Sequence, residues 1–252
     1  MGKQPASTKS RGGGKGEVAY IRPKSIGVSV PRREDPGLLT GRARYVADIV
    51  LPDMLHAAVL RSPIAHGRIT GIDVAAASAM PGVVLVWTGR DVRERCSGLP
   101  ATMDIPGFVG TVQPVLADEE ICFAGEGIAV VVATTRALAE DALEAIVVAF
   151  EDYPIVGDVD AARTTENLAN AKVPRNLLYY SDRLSDDVET PFAQAAARVE
   201  GCFRTPRVNA SPMEPRGFVA RYEWTSNMLT CWSATQMPNL IKTLLAIFLN
   251  FP

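Results

Sequence analysis

The chain has 252 residues, 47% hydrophobic and 21% charged, a balance that suits a globular protein of one large or two ordinary domains. A net charge of -2 excludes an electrostatic case for nucleic acid or an anionic membrane surface as partner. The longest apolar stretch, residues 240–251, carries Lys242 and Asn250 and falls short of the roughly 20 apolar residues that a membrane span needs.

Residues 1–30 open as a low-complexity basic tail with Lys3, Lys9, Arg11 and Lys15 and a Gly12-Gly13-Gly14 run. Such a composition predicts disorder, and the stretch lacks the apolar core of a secretion signal, so a cytoplasmic location is expected. Gly41 predicts a turn, and Tyr45-Val46 has strand character. Strands are expected over residues 54–61 and 68–73, separated by a loop with Ser62 and His66. His56 and His66 are the only histidines, and no carboxylate cluster accompanies them. They read as loop groups that hydrogen-bond locally rather than as metal ligands or a catalytic base.

An Ala-rich helical turn over residues 74–80 ends at Pro81-Gly82, and a strand follows over residues 83–87. Thr88 begins a capped short helix, and residues 96–113 read as a surface excursion. Residues 121–123 resume a strand, Gly125-Glu126-Gly127 breaks it, and residues 128–133 form a continuous apolar strand. Thr134 or Thr135 caps a helix over residues 136–145, with Leu138, Ala142 and Ala145 on one stripe. A strand returns over residues 147–150, which predicts a strand–helix–strand crossover within a mixed sheet. The acid runs Asp118-Glu119-Glu120 and Glu140-Asp141 read as solvated charge.

Residues 156–186 are Pro-, Asn- and Asp-rich and read as a linker. Beyond it, a short helix is expected over residues 192–199 and strands over residues 199–208 and 217–224. Asn227 marks a hairpin turn before a strand from Leu229, whose alternation runs through Ser233. Thr235 and Gln236 then stand at a strand-to-helix junction, with Pro238 at the first turn of a helix over residues 239–249. Small-molecule sites in layered α/β folds gather where strands end and helices begin, so the Gln236 amide is the candidate functional group. Cys96, Cys122, Cys202 and Cys231 form no tight pair, so a zinc or iron–sulfur centre within this chain is not expected.

Several segments, taken together and in order, resemble the molybdenum hydroxylases, the xanthine dehydrogenase, aldehyde oxidase and carbon monoxide dehydrogenase enzymes. They are Gly41-Arg42-Ala43-Arg44-Tyr45-Val46-Ala47-Asp48, Leu60-Arg61-Ser62-Pro63-Ile64-Ala65-His66-Gly67-Arg68-Ile69, and Met80-Pro81-Gly82-Val83. Val115-Leu116-Ala117-Asp118-Glu119, Ala139-Glu140-Asp141-Ala142 and Phe150-Glu151-Asp152-Tyr153-Pro154 continue the match. Met213-Glu214-Pro215-Arg216 and Trp232-Ser233-Ala234-Thr235-Gln236-Met237-Pro238 complete it. The similarity is to the start of the large, molybdenum-binding subunit.

The resemblance implies an α+β fold with mixed sheets and covering helices. An α/β hammerhead domain would occupy residues 31–155, and the first part of a molybdopterin-binding domain residues 187–252. It implies hydroxylation of a heterocycle or aldehyde, or oxidation of carbon monoxide, with water as the oxygen source. Gln236 matches the glutamine whose amide donates to an oxygen ligand of the molybdenum in molybdenum-molybdopterin. Iron–sulfur and FAD centres would sit on partner subunits, an iron–sulfur subunit and a flavin subunit. Glu214 and Arg216 are expected to form a local ion pair that orders their loop. Family large subunits are much longer, and the Gly-rich loop beside the metal and the glutamate base are not found here. The chain is therefore expected to be the N-terminal portion of such a subunit, inactive unless a second chain supplies the rest. The alternative is a non-catalytic module that binds partner subunits without cofactor.

Overall fold

The computed structural model describes residues 27, 29–182 and 187–251. The expected tail therefore lies outside the described residues up to position 26. The described residues up to Tyr45 form one unit and those from Val46 another. The first unit contains the short helix α1 (Asp35–Leu39), with Pro36 in its first turn, where a missing N–H costs nothing. It ends as expected at a turn in which Gly41 takes a positive φ of 68°.

The second unit begins with a 3-10 turn over Val46–Asp48 rather than the expected strand. The Val46 N–H donates to Glu214 Oε1 at 2.9 Å, so a distant carboxylate satisfies it instead of a strand ladder. The elements that follow are β1 (His56–Arg61), β2 (Gly67–Asp73), α2 (Ala75–Ser78), β3 (Val83–Thr88) and α3 (Gly89–Arg93). Next come β4 (Leu99–Ala101), β5 (Thr111–Gln113), β6 (Glu120–Ile121), β7 (Gly127–Ala133), α4 (Arg136–Glu144) and β8 (Val147–Asp152). The surface excursion thus contains a small hairpin, β4 against β5.

Two three-stranded sheets carry this region, in the orders β1-β7-β3 and β6-β2-β8. The expected crossover is not formed. β7, α4 and β8 fall where the sequence puts them, but β7 already has β1 on one side and β3 on the other. β8 pairs instead with β2 in the second sheet, and every pairing among the described residues is antiparallel. The fold is α+β, with a helix covering a sheet.

β7 explains its own apolar run, because as a central strand it is buried on both faces. Ala129, Val131 and Ala133 point to one side and meet Ala139 and Ala142 of α4. Ile128 points to the other and packs with Ala117 and Ile121. All of these are fully buried, and each buried Ile or Val contributes about 2 kcal/mol. Alanine at the contact lets the helix lie close on the sheet. The buried stripe of α4 is therefore centred on Ala139 and Ala142, while Leu138 and Ala145 sit partly buried at its border. Thr135 caps the helix, accepting from the Leu138 N–H at 3.2 Å.

The residues read as a linker have structure of their own. They hold α5 (Val159–Thr164), capped by Asp158, and a 3-10 turn over Pro174–Asn176. The Asn176 side chain knits them together, donating to the carbonyls of Ala162 and Asn167 and accepting from the Ala169 N–H. The short helix α6 (Glu189–Gln194) follows. The strand expected over residues 199–208 is absent. Val199, Phe203 and Val208 are 92%, 96% and 85% exposed, and no other described strand pairs with this segment, so its strand-like composition finds no ladder.

Candidate functional site

The last elements are β9 (Phe218–Glu223), β10 (Met228–Ser233) and α7 (Pro238–Phe248). β9 and β10 form the expected hairpin, in register from Met228 opposite Glu223 to Ser233 opposite Phe218. The turn depends on Asn227, which takes a positive φ of 51°. Asparagine tolerates that conformation, and its Oδ1 accepts from the Tyr222 hydroxyl at 2.7 Å. β10 stops at Ser233, and after the four residues 234–237 Pro238 starts α7. Gln236 lies in this connection, exposed, and its amide has no hydrogen-bond partner among the described residues. The Thr235 hydroxyl accepts from the Met237 N–H at 3.1 Å and holds the bend. Met237 supplies no side-chain cap, so the first-turn N–H groups of α7 are free of a side-chain acceptor. The free amide and the uncapped helix start together offer hydrogen-bond donors to an oxygen-bearing ligand. In this sense the residues fit the oxygen-rich edge of a molybdenum cofactor.

The other end of α7 carries a complete stop signal. Asn250 takes a positive φ of 47°, its N–H donates to the Ile247 carbonyl, and the Phe251 N–H reaches back to Ala246 at 2.8 Å. These are the bonds of a Schellman cap. Phe251 then lies edge-on to Tyr222, with ring centres 5.9 Å apart, and ties the helix end to the hairpin. Between hairpin and helix lies a cavity of about 530 Å³ lined by Phe218, Leu229, Cys231, Ile241, Leu245 and Phe251. No residue of α7 is fully buried, and Met237, Leu240, Ile247 and Trp224 are all exposed. An apolar surface of this kind is an association site. The chain purified by itself is expected to self-associate, and a monodisperse monomer in light scattering would contradict this.

Glu214 does not pair with Arg216. Its carboxylate takes the Val46 N–H, across 168 residues of sequence. Gly217 allows that approach, since a Cβ there would sit 3.0 Å from Val46 Cγ1. His66 also departs from expectation. It is 7% exposed, and its partners are distant in sequence, the Pro154 carbonyl and Glu120 Oε1, each at 3.0 Å. Of the 118–120 run, Glu119 is solvated as expected, but Asp118 and Glu120 are not. Asp118 is an electrostatic partner of Arg93 at 2.6 Å without hydrogen-bond geometry, and Glu120 holds His66.

Sequence reasoning missed Glu126. It is 5% exposed, and its carboxylate accepts the Cys122 N–H at 2.7 Å. An acid between two glycines, at the break before an all-apolar strand, was the available signal. Burial pushes its carboxyl above the usual carboxylate range, and bonds from the Cys122 and Phe123 N–H groups only partly offset this. The same surroundings push the Cys122 thiol up to about 11, so it stays protonated. The sign for Glu126 follows from linkage. The folded chain holds this proton to a higher pH than the unfolded chain does, so the group's contribution to stability is greatest below the ordinary carboxylate value. It is lost as pH rises through the folded value. Glu126→Gln is expected to raise Tm near neutral pH and to lose that advantage as pH falls from the raised folded value toward the ordinary carboxylate value. An equal Tm difference at both ends of a pH series would rule out this account.

Residues 40–154 match the family described as "Aldehyde oxidase and xanthine dehydrogenase, a/b hammerhead domain", and residues 169–252 match the "Molybdopterin cofactor-binding domain". The chain belongs to the molybdenum hydroxylase family. Among its relatives within that family, the nicotine 6-hydroxylase large subunit of Paenarthrobacter nicotinovorans is 42% identical over 90% of this chain and 28% of its own length. The carbon monoxide dehydrogenase large chain of Hydrogenophaga pseudoflava is 34% identical over 93% of this chain and 30% of its own. The crystal structure of quinoline 2-oxidoreductase from Pseudomonas putida 86 superposes with a TM-score of 0.87 at 51% identity, covering 94% of this chain and 30% of that one. As a molybdenum hydroxylase chain, then, this one spans about 30% of the length of these relatives. Its two matched regions follow the order hammerhead, then cofactor-binding. No helix among the described residues is long and apolar enough to cross a membrane.

Proposed function

We propose that this chain builds the opening part of the large subunit of a molybdenum hydroxylase, and that Gln236 is its contact to the metal site. The single observation that carries the reading is the unpartnered Gln236 amide between β10 and the uncapped start of α7. A neutral amide can donate to an oxygen ligand of the molybdenum without changing the charge of the centre. The bound cofactor supplies two-electron oxidation of a carbon with water as the oxygen source. The part played by this chain is to hold that amide at a strand end braced by the β9–β10 hairpin. In this reading residues 31–155 act as the hammerhead domain, residues 187–252 begin the molybdopterin-binding domain, and residues 156–186 join them.

The substrate we propose is an aromatic nitrogen heterocycle. Identity is 42% to nicotine 6-hydroxylase and 51% to quinoline 2-oxidoreductase, against 34% to a carbon monoxide dehydrogenase. Turnover needs the remaining length of the large subunit, and electrons leave through an iron–sulfur subunit and a flavin subunit, with assembly in the cytoplasm. A cofactor-free interaction module is the competing reading, favoured by the exposed apolar residues of α7 and the hairpin.

Co-expression separates the two. The chain is produced with a polypeptide that supplies the rest of a large subunit and with candidate iron–sulfur and flavin subunits. The purified complex is then assayed for molybdenum and for quinoline- or nicotine-dependent dye reduction. Stoichiometric metal with heterocycle-dependent reduction is the expected result. A complex that assembles without molybdenum would establish the interaction module instead.

A further inference from the structure

Gln236 can serve a ligand only if the residues between β10 and α7 hold one shape. Both ends of that connection are anchored. At the strand end Ser233 stands opposite Phe218. Gly217, next to Phe218, lies against Val46, since a Cβ there would come 3.0 Å from Val46 Cγ1. At the helix end the Pro238 ring fixes its own φ, and the Met237 carbonyl accepts the Ile241 N–H at 3.1 Å. Between the anchors, residues 234–237 are all exposed. The Thr235 hydroxyl accepts the Met237 N–H at 3.1 Å. Among the described residues no other hydrogen bond spans Gln236.

We infer that Thr235 is a positioning residue, whose hydroxyl fixes the bend that carries the Gln236 amide. The inference rests on the reading of Gln236 as the contact to the metal site. A threonine oxygen that accepts from the N–H two residues on closes a turn around the residue between them. Here the enclosed residue is Gln236, so the bond restrains the backbone on both sides of it. The branched Cβ of threonine restricts χ1 and so helps to place that oxygen. Without the bond, the rotations next to Gln236 are free between two fixed ends. The amide sits at the end of a flexible arm, where a misplacement of about 1 Å can cost about a hundredfold in rate. Thr235 acts only through Gln236, so its loss cannot exceed the loss of the amide itself. Because Met237 is exposed, water takes its N–H once the hydroxyl is gone, and the fold survives.

The test uses a complex that contains the rest of the large subunit. Thr235→Val keeps the shape of the side chain and removes the acceptor, whereas Thr235→Ser keeps the acceptor. Hydrogen exchange, read at the single Met237 amide by mass spectrometry, reports the bend independently of turnover. Thr235→Val is expected to speed that exchange by about tenfold, the equivalent of one hydrogen bond, and Thr235→Ser to leave it near the parent rate. Thr235→Val is also expected to lower kcat by about tenfold, with KM and molybdenum content little changed, and Thr235→Ser to recover most of the loss. In a Gln236→Ala background Thr235→Val is expected to cost nothing further, because the group it places is gone. An unchanged Met237 exchange rate in Thr235→Val overturns the inference. So does a tenfold loss that persists in the Gln236→Ala background. Unchanged turnover in Gln236→Ala, with Met237 exchange still faster in Thr235→Val, refutes the metal-contact reading and upholds the brace.

Discussion

Gly89→Ala is expected to destabilise the fold by about 3 kcal/mol, near the upper end for overpacking a tight contact, and to lower Tm by roughly 10 °C. Gly89 is the first residue of α3, and its backbone lies against the chain just before β6. A Cβ there would stand 2.3 Å from the Ala117 carbonyl oxygen, 2.6 Å from its carbon and 2.9 Å from Asp118 Cα. All three are backbone atoms, so no side chain can rotate away, and α3 or the 117–118 segment must move. Ala117 is fully buried beside Ile121 and Ile128, so the strain would pass into the core. Gly157→Ala is the control, because nothing lies within 4 Å of the added carbon there. Thermal melts of the two variants decide the matter. An unchanged Tm for Gly89→Ala would mean that α3 does not pack against the Ala117–Asp118 backbone.

On the reading proposed above, Gln236→Ala in a complex that contains the rest of the subunit is expected to lower kcat by about a hundredfold, the scale seen when one preorganised donor is removed from a reacting oxygen. Molybdenum content and KM are expected to change little, because an exposed side chain without partners among the described residues contributes nothing measurable to folding. Gln236→Asn keeps the amide on a shorter arm and is expected to recover part of the loss. Equal loss of metal and of activity would instead make Gln236 a residue that retains the cofactor. Unchanged turnover would remove it from the site.

Local signals in the sequence read well. The Thr135 cap, the turns at Gly41 and Gly82, the Asn227 hairpin and the Pro238 helix start are decided by a few adjacent residues, and each lies where its chemistry requires. Pairing across long separations did not read. Whether β8 joins β7 or β2 depends on which ladder edges are free, and that is a property of the assembled sheets. His66 and Glu214 find partners 54 to 168 residues away, which no spacing rule can anticipate. The segment from Val199 to Val208 shows the opposite failure. Its strand-like composition is real, but a strand exists only beside a neighbour. For the candidate site, the position of Gln236 at the junction was legible. Its freedom from other hydrogen bonds emerged only with the fold.

The two hydrophobic clusters lie on opposite faces of β7, yet they are not separate bodies. Ile72 of β2 and Val148 of β8 touch both. Heat or denaturant therefore finds no fracture plane between the sheets. Damage at Ile128 should be felt under α4, and the whole hammerhead region should melt in a single cooperative step.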